Sequence, residues 1–234
     1  MIPLHVQQPG RRVERDDIER LAKLPVANIS DVMARLPAGG PRLRPYHASG
    51  ILAGTAYTVR TRPGDNLMIH KALNMAAPGD VLVIDGGGDL SNALLGEMML
   101  SYAEYRGLAG VVVNGSVRDV AHIRAHAFPV YAAGVTHRGP YKDGPGEVNV
   151  PVAIDGMVIN PGDAIIGDDD GVVCVPYDMV AKVLPAAEEK QRAEVAQLAR
   201  IKDGTVDRTW VERALADSGL AFAGLEDGNS VAER

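Results

Sequence analysis

Three side chains in this sequence have the types and spacing to do chemistry together. Glu97 follows a glycine in the run Gly96-Glu97-Met98-Met99, and Arg118 and Asp119 close the run Val111-Val112-Val113-Asn114-Gly115-Ser116-Val117-Arg118-Asp119. Twenty residues lie between Glu97 and Arg118, the length of one helix and one short buried strand, so both ends can return to one edge of a sheet. Arg118 is permanently charged and forked, suited to the oxygens of a carboxylate or a developing enolate. Asp119 is a hard oxygen ligand of the kind Mg²⁺ or Mn²⁺ takes while keeping several waters, and Glu97 could hold one of those waters. The N–H groups that open a helix at Gly96 have no partners inside it and can receive an anion. Such a pocket would hold a divalent metal and a small anion together. An Arg118–Glu97 salt bridge with Asp119 capping its own helix would use the same residues structurally, and spacing alone leaves both readings open.

The elements that must position these residues can be read from pattern. Residues 16–23 predict a short helix with acidic residues in its first turn, ended by Pro25. Residues 28–35 predict a second helix, broken at Pro37-Ala38-Gly39-Gly40-Pro41. Residues 51–62 alternate as a strand does. Pro63-Gly64-Asp65, Pro78-Gly79-Asp80 and Pro161-Gly162-Asp163 each set a turn beside an element. Between them lie a helix over 68–77 and an apolar strand over 81–84, of the kind buried on both faces. A helix over 96–106, a strand over 111–114, a polar turn, a helix over 119–126 and a strand over 129–133 follow. This is β-α-β-α-β, whose right-handed crossovers make a parallel sheet.

Beyond residue 147 short strands at turn spacing are expected at 148–154, 157–159, 164–167 and 172–175, with Asp155-Gly156 as a hairpin turn. The expected fold class is therefore α/β, with the β-rich half closing the sheet as a barrel or sandwich. From Tyr177 the chain turns helical and charged. Over 179–202 a partial stripe of Val180, Val183, Leu184, Ala187, Ala193, Val195 and Leu198 suggests packing on another subunit, and the last ten residues are expected to fray. The domains read as a helical segment over 1–25, a core over 26–176 and a helical arm over 177–234.

Composition narrows the function classes. A net charge of −6, a pI near 5.5 and only 4% aromatic residues argue against nucleic acid as a partner. No apolar run approaches the roughly 18 residues of a membrane span, and the N-terminus lacks the apolar core of a signal peptide, so a cytoplasmic protein is expected. Cys174 sits in an apolar run and reads as a buried strand residue. Gly86-Gly87-Gly88 invites a nucleotide or methyltransferase reading, but it is not G-x-G-x-x-G and no acidic residue ends the next strand. His122 and His126, four apart on a helix, lack the glutamate of H-E-x-x-H and read as a solvated face. Asp168-Asp169-Asp170-Gly171 reads as an acidic turn between strands.

The run from Pro78-Gly79-Asp80 to Asp85, Leu95-Gly96-Glu97-Met98-Met99 and Gly115-Ser116-Val117-Arg118-Asp119, with Asn160 to Val172, resembles the RraA-like family over roughly residues 26–176. That family holds metal-dependent 4-hydroxy-4-methyl-2-oxoglutarate / 4-carboxy-4-hydroxy-2-oxoadipate aldolases and RraA regulators of ribonuclease E. The resemblance implies a swivelling-domain-like β-α-β core and a class II aldolase that cleaves a 4-hydroxy-2-oxo acid to pyruvate, with oxaloacetate decarboxylation as a side activity. It implies that Gly96, Glu97, Met98 and Met99 bind the pyruvate carboxylate, that Arg118 contacts its oxygens, and that Asp119 ligates Mg²⁺ or Mn²⁺ directly. Glu97 stands where the aldolases usually have aspartate and would act through a water. A metal-bound water or hydroxide is the expected base, no histidine standing near the motif. A C-terminal glutamate, Glu189 with Glu188 and Glu194 as alternatives, would reach the metal's waters in a neighbouring subunit of a homotrimer or hexamer. The alternative is a non-catalytic RraA-type protein that binds a ribonuclease or another protein partner.

Overall fold

Short runs of valine, leucine and isoleucine become strands here because each of their faces meets a core. The structure, a computed structural model, describes residues 5–7, 10–37 and 39–218. In chain order it runs β1 (His5–Val6), α1 (Arg15–Leu21), α2 (Val26–Val32), β2 (Arg44–Pro45), β3 (Leu52–Thr61), α3 (Leu67–Met75), β4 (Asp80–Asp85), β5 (Ala93–Leu95), α4 (Glu97–Tyr105) and β6 (Gly110–Val117). It continues with α5 (Val120–Ala125), β7 (Val130–Val135), β8 (Gly146–Val148), β9 (Val152–Ile154), β10 (Met157–Ile159), β11 (Ala164–Asp168), β12 (Gly171–Val175), a 3-10 turn at Tyr177–Met179, α6 (Val180–Lys202) and α7 (Thr209–Asp217). The contacts divide the chain after Gln191, within α6.

Strands β3, β4, β6 and β7 pair in parallel in that order, with α3, α4 and α5 as crossovers. The other edge of β3 takes two antiparallel partners, β11 along Leu52–Thr55 and β8 along Val59–Thr61. Period-two alternation then sorts side chains to opposite faces. Leu82, Ile84, Val111, Val113 and Val130 join a core covered by Ile69 and Leu73 of α3, Leu100 of α4 and Ile123 of α5. Val81, Val83, Val112 and Tyr131 face the other way, under Ile154, Met157 and Ile159 of the β9–β10 hairpin and Ile165 and Cys174. Ala164, Ile166, Val173 and Val175 meet α1, α2 and the start of α6 in a third cluster. The expected α/β class is present, and the β-rich half covers the sheet by packing a hairpin across it.

Several boundaries differ from those read in the sequence. Helix α2 starts at Val26, using Pro25 as its cap, and stops before Ala34 and Arg35, whose φ values are 57° and 64°. The stretch 148–154 is two strands, because Asn149 takes a φ of 55° and Pro151 follows it. The turn expected after Asn114 is instead strand as far as Val117, because β5 pairs alongside it in parallel. The stripe along α6 is buried at Val180, Val183, Leu184 and Ala187, whereas Val195 and Leu198 are exposed. Ahead of residue 26, Val13, Leu21 and Leu24 share a core with Val173 and Val175. Cys174 is buried as expected, and burial pushes its thiol pKa up. The final ten residues lie outside the described part. No described helix is long and apolar enough to cross a membrane.

Leu82, fully buried between layers, should lose about 2–5 kcal/mol of stability on replacement by alanine. Val158, on the open side of the hairpin, should change by no more than about 0.5 kcal/mol on the same replacement. Urea denaturation of both variants checks the assignment of faces.

Candidate functional site

The turn at the end of β6 and the start of α4 meet side by side, as the twenty-residue spacing requires. The Arg118 amide donates to Leu95 O at 3.1 Å, which ties the two segments together. Asp119 then takes a left-handed backbone, φ 58° and ψ 39°, a region that aspartate tolerates better than most side chains. That turn swings its carboxylate back across α4, where Oδ2 accepts the Glu97 N–H at 3.0 Å. The close approach requires Gly96, since a Cβ there would run into Asp119 Oδ2 and Arg118 Cγ. Arg118 Nε stands 3.7 Å from the same Oδ2.

Of the two arrangements that spacing left open, the purely structural one, an Arg118–Glu97 salt bridge with Asp119 capping its own helix, is therefore not formed. Asp119 caps α4 and not its own helix, and Arg118 pairs with Asp119 and not with Glu97. Glu97 instead turns its carboxylate to His122, with Oε1 3.4 Å from Nδ1. His122 is thus drawn into the site from what read as a solvated face, its ring stacked on His126 with centroids 4.0 Å apart. The result is a two-way clamp in which α5's leading residue caps α4 and α4's first residue holds α5. The Met99 and Leu100 amides turn back to Gly96 O at 3.1 and 3.0 Å. Among the described residues the Met98 amide then has no partner, at a helix end where the dipole favours an anion.

A cavity of about 380 Å³ opens beside this helix end, lined by Arg118, Leu95, Gly96, Met98 and Met99 and, across from them, by Asn66, His70, Gly139 and Lys142. The last four were missed in the sequence, because nothing in local pattern joins the start of α3 and the 138–145 loop to the Arg118 motif. Asn66 donates to Leu94 O at 3.0 Å and to Met99 Sδ at 3.3 Å, while its Oδ1 is buried without a hydrogen-bond partner. At the rim, partial burial of the ring, and after it the positive charge of Lys142, hold the His70 pKa below its ordinary 6.5. A larger cavity, about 630 Å³, lies between Arg12, Arg15 and Glu19 and the segment Pro78-Gly79 that precedes β4. Parallel sheets bind ligands at the carboxyl ends of their strands, which is where Arg118 stands.

The donor set decides which metal could be held. Among the described residues no three His, Cys, Asp or Glu side chains gather as a metal-ligating group, which does not suit tetrahedral zinc. Among the described residues Asp119 Oδ1 has no partner beside the engaged Oδ2, and Glu97 is about half exposed. One hard oxygen with a second carboxylate at hand fits Mg²⁺ or Mn²⁺ with most of its waters kept. Glu189 is exposed on α6, whose buried face belongs to the third core cluster and not to the one under α4. Its neighbour Glu188 is engaged by Arg20 through two bonds of 2.9 Å.

The other motifs have structural work. Asp85 Oδ1 accepts from Gly87 N–H and Asn114 Nδ2, and Arg42 links Asn114 to Asp155, so the triple-glycine loop is tied to the hairpin. In the acidic turn, Asp168 Oδ2 accepts the Val26 N–H at 2.9 Å and so fixes the start of α2.

Gly96→Ala should force the Asp119 carboxylate off α4 and cost about 1–3 kcal/mol, as overpacking does. Asp119→Ala should cost about 0.5–2 kcal/mol through the lost cap. Chemical denaturation of the two variants, and of their double mutant, should show less than additive losses.

Comparison with known proteins gives the family. The family model RraA-like (Aldolase/RraA) matches residues 26–174. A Halalkalibacterium halodurans protein, provisionally named a 4-hydroxy-4-methyl-2-oxoglutarate aldolase, is 36% identical over 208 residues, 88% of this chain and 99% of its own. A Thermus thermophilus protein named 4-hydroxy-4-methyl-2-oxoglutarate aldolase is 39% identical over 124 residues, 53% of this chain and 75% of its own. Among solved structures, Streptomyces coelicolor RraAS2, described as an unusual member of the RNase ES inhibitor RraA protein family, superposes with a TM-score of 0.73 at 25% identity, covering 81% of this chain and all of that one. With the sheet, the α4 cap and the Arg118-Asp119 turn in place, the chain belongs to the RraA-like family.

Proposed function

We propose that this protein is a divalent-metal-dependent aldolase that cleaves a 4-hydroxy-2-oxo acid, of the 4-hydroxy-4-methyl-2-oxoglutarate kind, to release pyruvate. The observation that carries the reading is a helix end and the Arg118 guanidinium lining one end of a cavity, with the Asp119 carboxylate bonded to the same helix end. The Met98 amide and Arg118 would bind the substrate's 1-carboxylate and 2-oxo oxygen. Asp119 would hold Mg²⁺ or Mn²⁺ directly and Glu97 through a water. When bound, such an ion supplies Lewis-acid polarisation of the 2-oxo group.

The chain's own groups account for the rest. Cleavage removes the proton from the 4-hydroxyl, breaks the C3–C4 bond and leaves the electron pair in the pyruvate enolate, which then takes a proton at C3. Arg118 faces the oxygen on which that charge develops. A neutral His70 can take that proton from the 4-hydroxyl, directly or through a water. Lys142, on the far wall, suits a distal carboxylate. The same enolate chemistry would allow oxaloacetate decarboxylation. In a homotrimer or hexamer the arm could bring Glu189 to a neighbour's metal waters, a reading supported by the exposed Val195, Leu198, Ile201 and Trp210 along it.

Pyruvate release from 4-hydroxy-4-methyl-2-oxoglutarate and from oxaloacetate, with Mg²⁺ or Mn²⁺ and with chelator, tests the proposal. Metal-dependent release is expected, and Arg118→Ala should lower it by about 10²–10³ or more, the scale of a lost oxyanion donor. A folded wild type that releases none would favour the non-catalytic reading, to be followed by a search for a protein partner. The pH profile gives a second check. Because the His70 pKa is lowered, its ring is more than half neutral at pH 6.5, so the midpoint of the acidic limb of kcat/KM should lie below 6.5. His70→Asn should remove that contribution to the acidic limb.

A further inference from the structure

We infer that Asp65 is a positioning residue that holds residues 138–145 as a strap over the cavity and so sets where Lys142 stands. The kinetic consequences rest on the aldolase reading, whereas the holding of the strap rests on geometry alone. Asp65 is fully buried, and its two oxygens divide their partners. Oδ1 accepts the Leu67 N–H at 2.9 Å, at the start of α3. Oδ2 accepts the N–H groups of Asp143 and Gly144 at 2.7 and 2.9 Å, and Arg62 Nη2 at 3.1 Å. A buried carboxylate is costly unless charge-assisted bonds of this kind compensate it.

The division matters because the two sets of partners carry opposite walls of the cavity. Asn66 and His70 belong to the start of α3, while Gly139 and Lys142 belong to the strap. One rigid carboxylate therefore spaces the walls. Weaker ties accompany it. Tyr141 N–H donates to Gly64 O at 2.8 Å, Asn66 N–H to Tyr141 O at 3.0 Å, and Asn92 Nδ2 to Gly139 O at 2.5 Å. The strap also bounds Arg118, since a Cβ at Gly139 would lie 3.1 Å from Arg118 Nη1. Four donors converge on Asp65, so an amide in its place would set an N–H₂ against backbone N–H groups.

The test uses Asp65→Ser, which keeps a short acceptor for Leu67 and cannot span to Asp143 and Gly144, with Asp65→Asn as the second variant should the first not fold. Trypsin sites at Arg138 and Lys142 lie in the strap itself. Cleavage there should rise by about tenfold in either variant while the melting transition stays well above the assay temperature, the signature of local opening. In pyruvate release, Asp65→Ser should raise KM as Lys142→Ala does while kcat falls less. The double variant should then match Lys142→Ala within about twofold, because both changes act through one side chain. Strap cleavage equal to wild type would overturn the inference, as would effects of the two changes that multiply. A wild type without pyruvate release would sink the aldolase reading alone, and the tryptic result would still decide the strap.

Discussion

The site depends on one hydrogen bond, from the Glu97 amide to Asp119 Oδ2. Forming it puts a non-glycine residue into the left-handed region, brings two helix N-termini together and admits no side chain at position 96. The strain at Asp119 is of the kind that persists only where surrounding structure over-determines it. Here the surroundings are Leu95 O on the Arg118 amide, Arg118 Nε beside the carboxylate and His122 holding Glu97. The bond engages one oxygen of the carboxylate and leaves the other open. It also uses one amide of the helix end and leaves Met98's. A group that serves as a cap with half its capacity can serve a ligand with the other half.

Behind this turn the scaffold is rigid for a simple reason. Strands β4, β6 and β7 are covered on both faces, so their alternate side chains are locked into separate cores. The carboxyl ends of those strands cannot move without disturbing both. The working residues sit just past those ends and are roughly half exposed, Arg118 at 43% and Asp119 at 41% of the side chain. Exposure gives them access to ligand, and the buried strands give them fixed origins. Across the cavity another carboxylate, the buried Asp65, does for the far wall what the half-exposed Asp119 does for the near one.

Glu97 shows how one methylene changes a site. A glutamate at the first turn of α4 is long enough to reach His122 across the gap between helices, and it does. On the proposed reading the same carboxylate must also serve a water near Asp119, so His122 competes with that role or orients it. The family contains relatives named as aldolases and relatives described as RNase inhibitors.

The sequence alone determined the parallel core and the meeting of Glu97, Arg118 and Asp119. Apolar runs of four residues bounded by Pro-Gly-Asp turns and separated by helical spacing admit little else, and Glu97, Arg118 and Asp119 meet because one helix and one strand must return the chain to its starting edge. It also determined that Cys174 is inert core, since its neighbours are apolar on both sides. Tertiary structure decided the rest. Whether Asp119 caps its own helix or its neighbour depends on a backbone torsion that spacing cannot encode. Whether Gly115 to Val117 turns or continues as strand depends on β5, three residues with no pattern of their own, arriving as a partner. Asn66, His70 and Lys142 enter the cavity only because Asp65 ties α3 to a loop almost eighty residues on, and a contact of that range leaves no trace in local sequence.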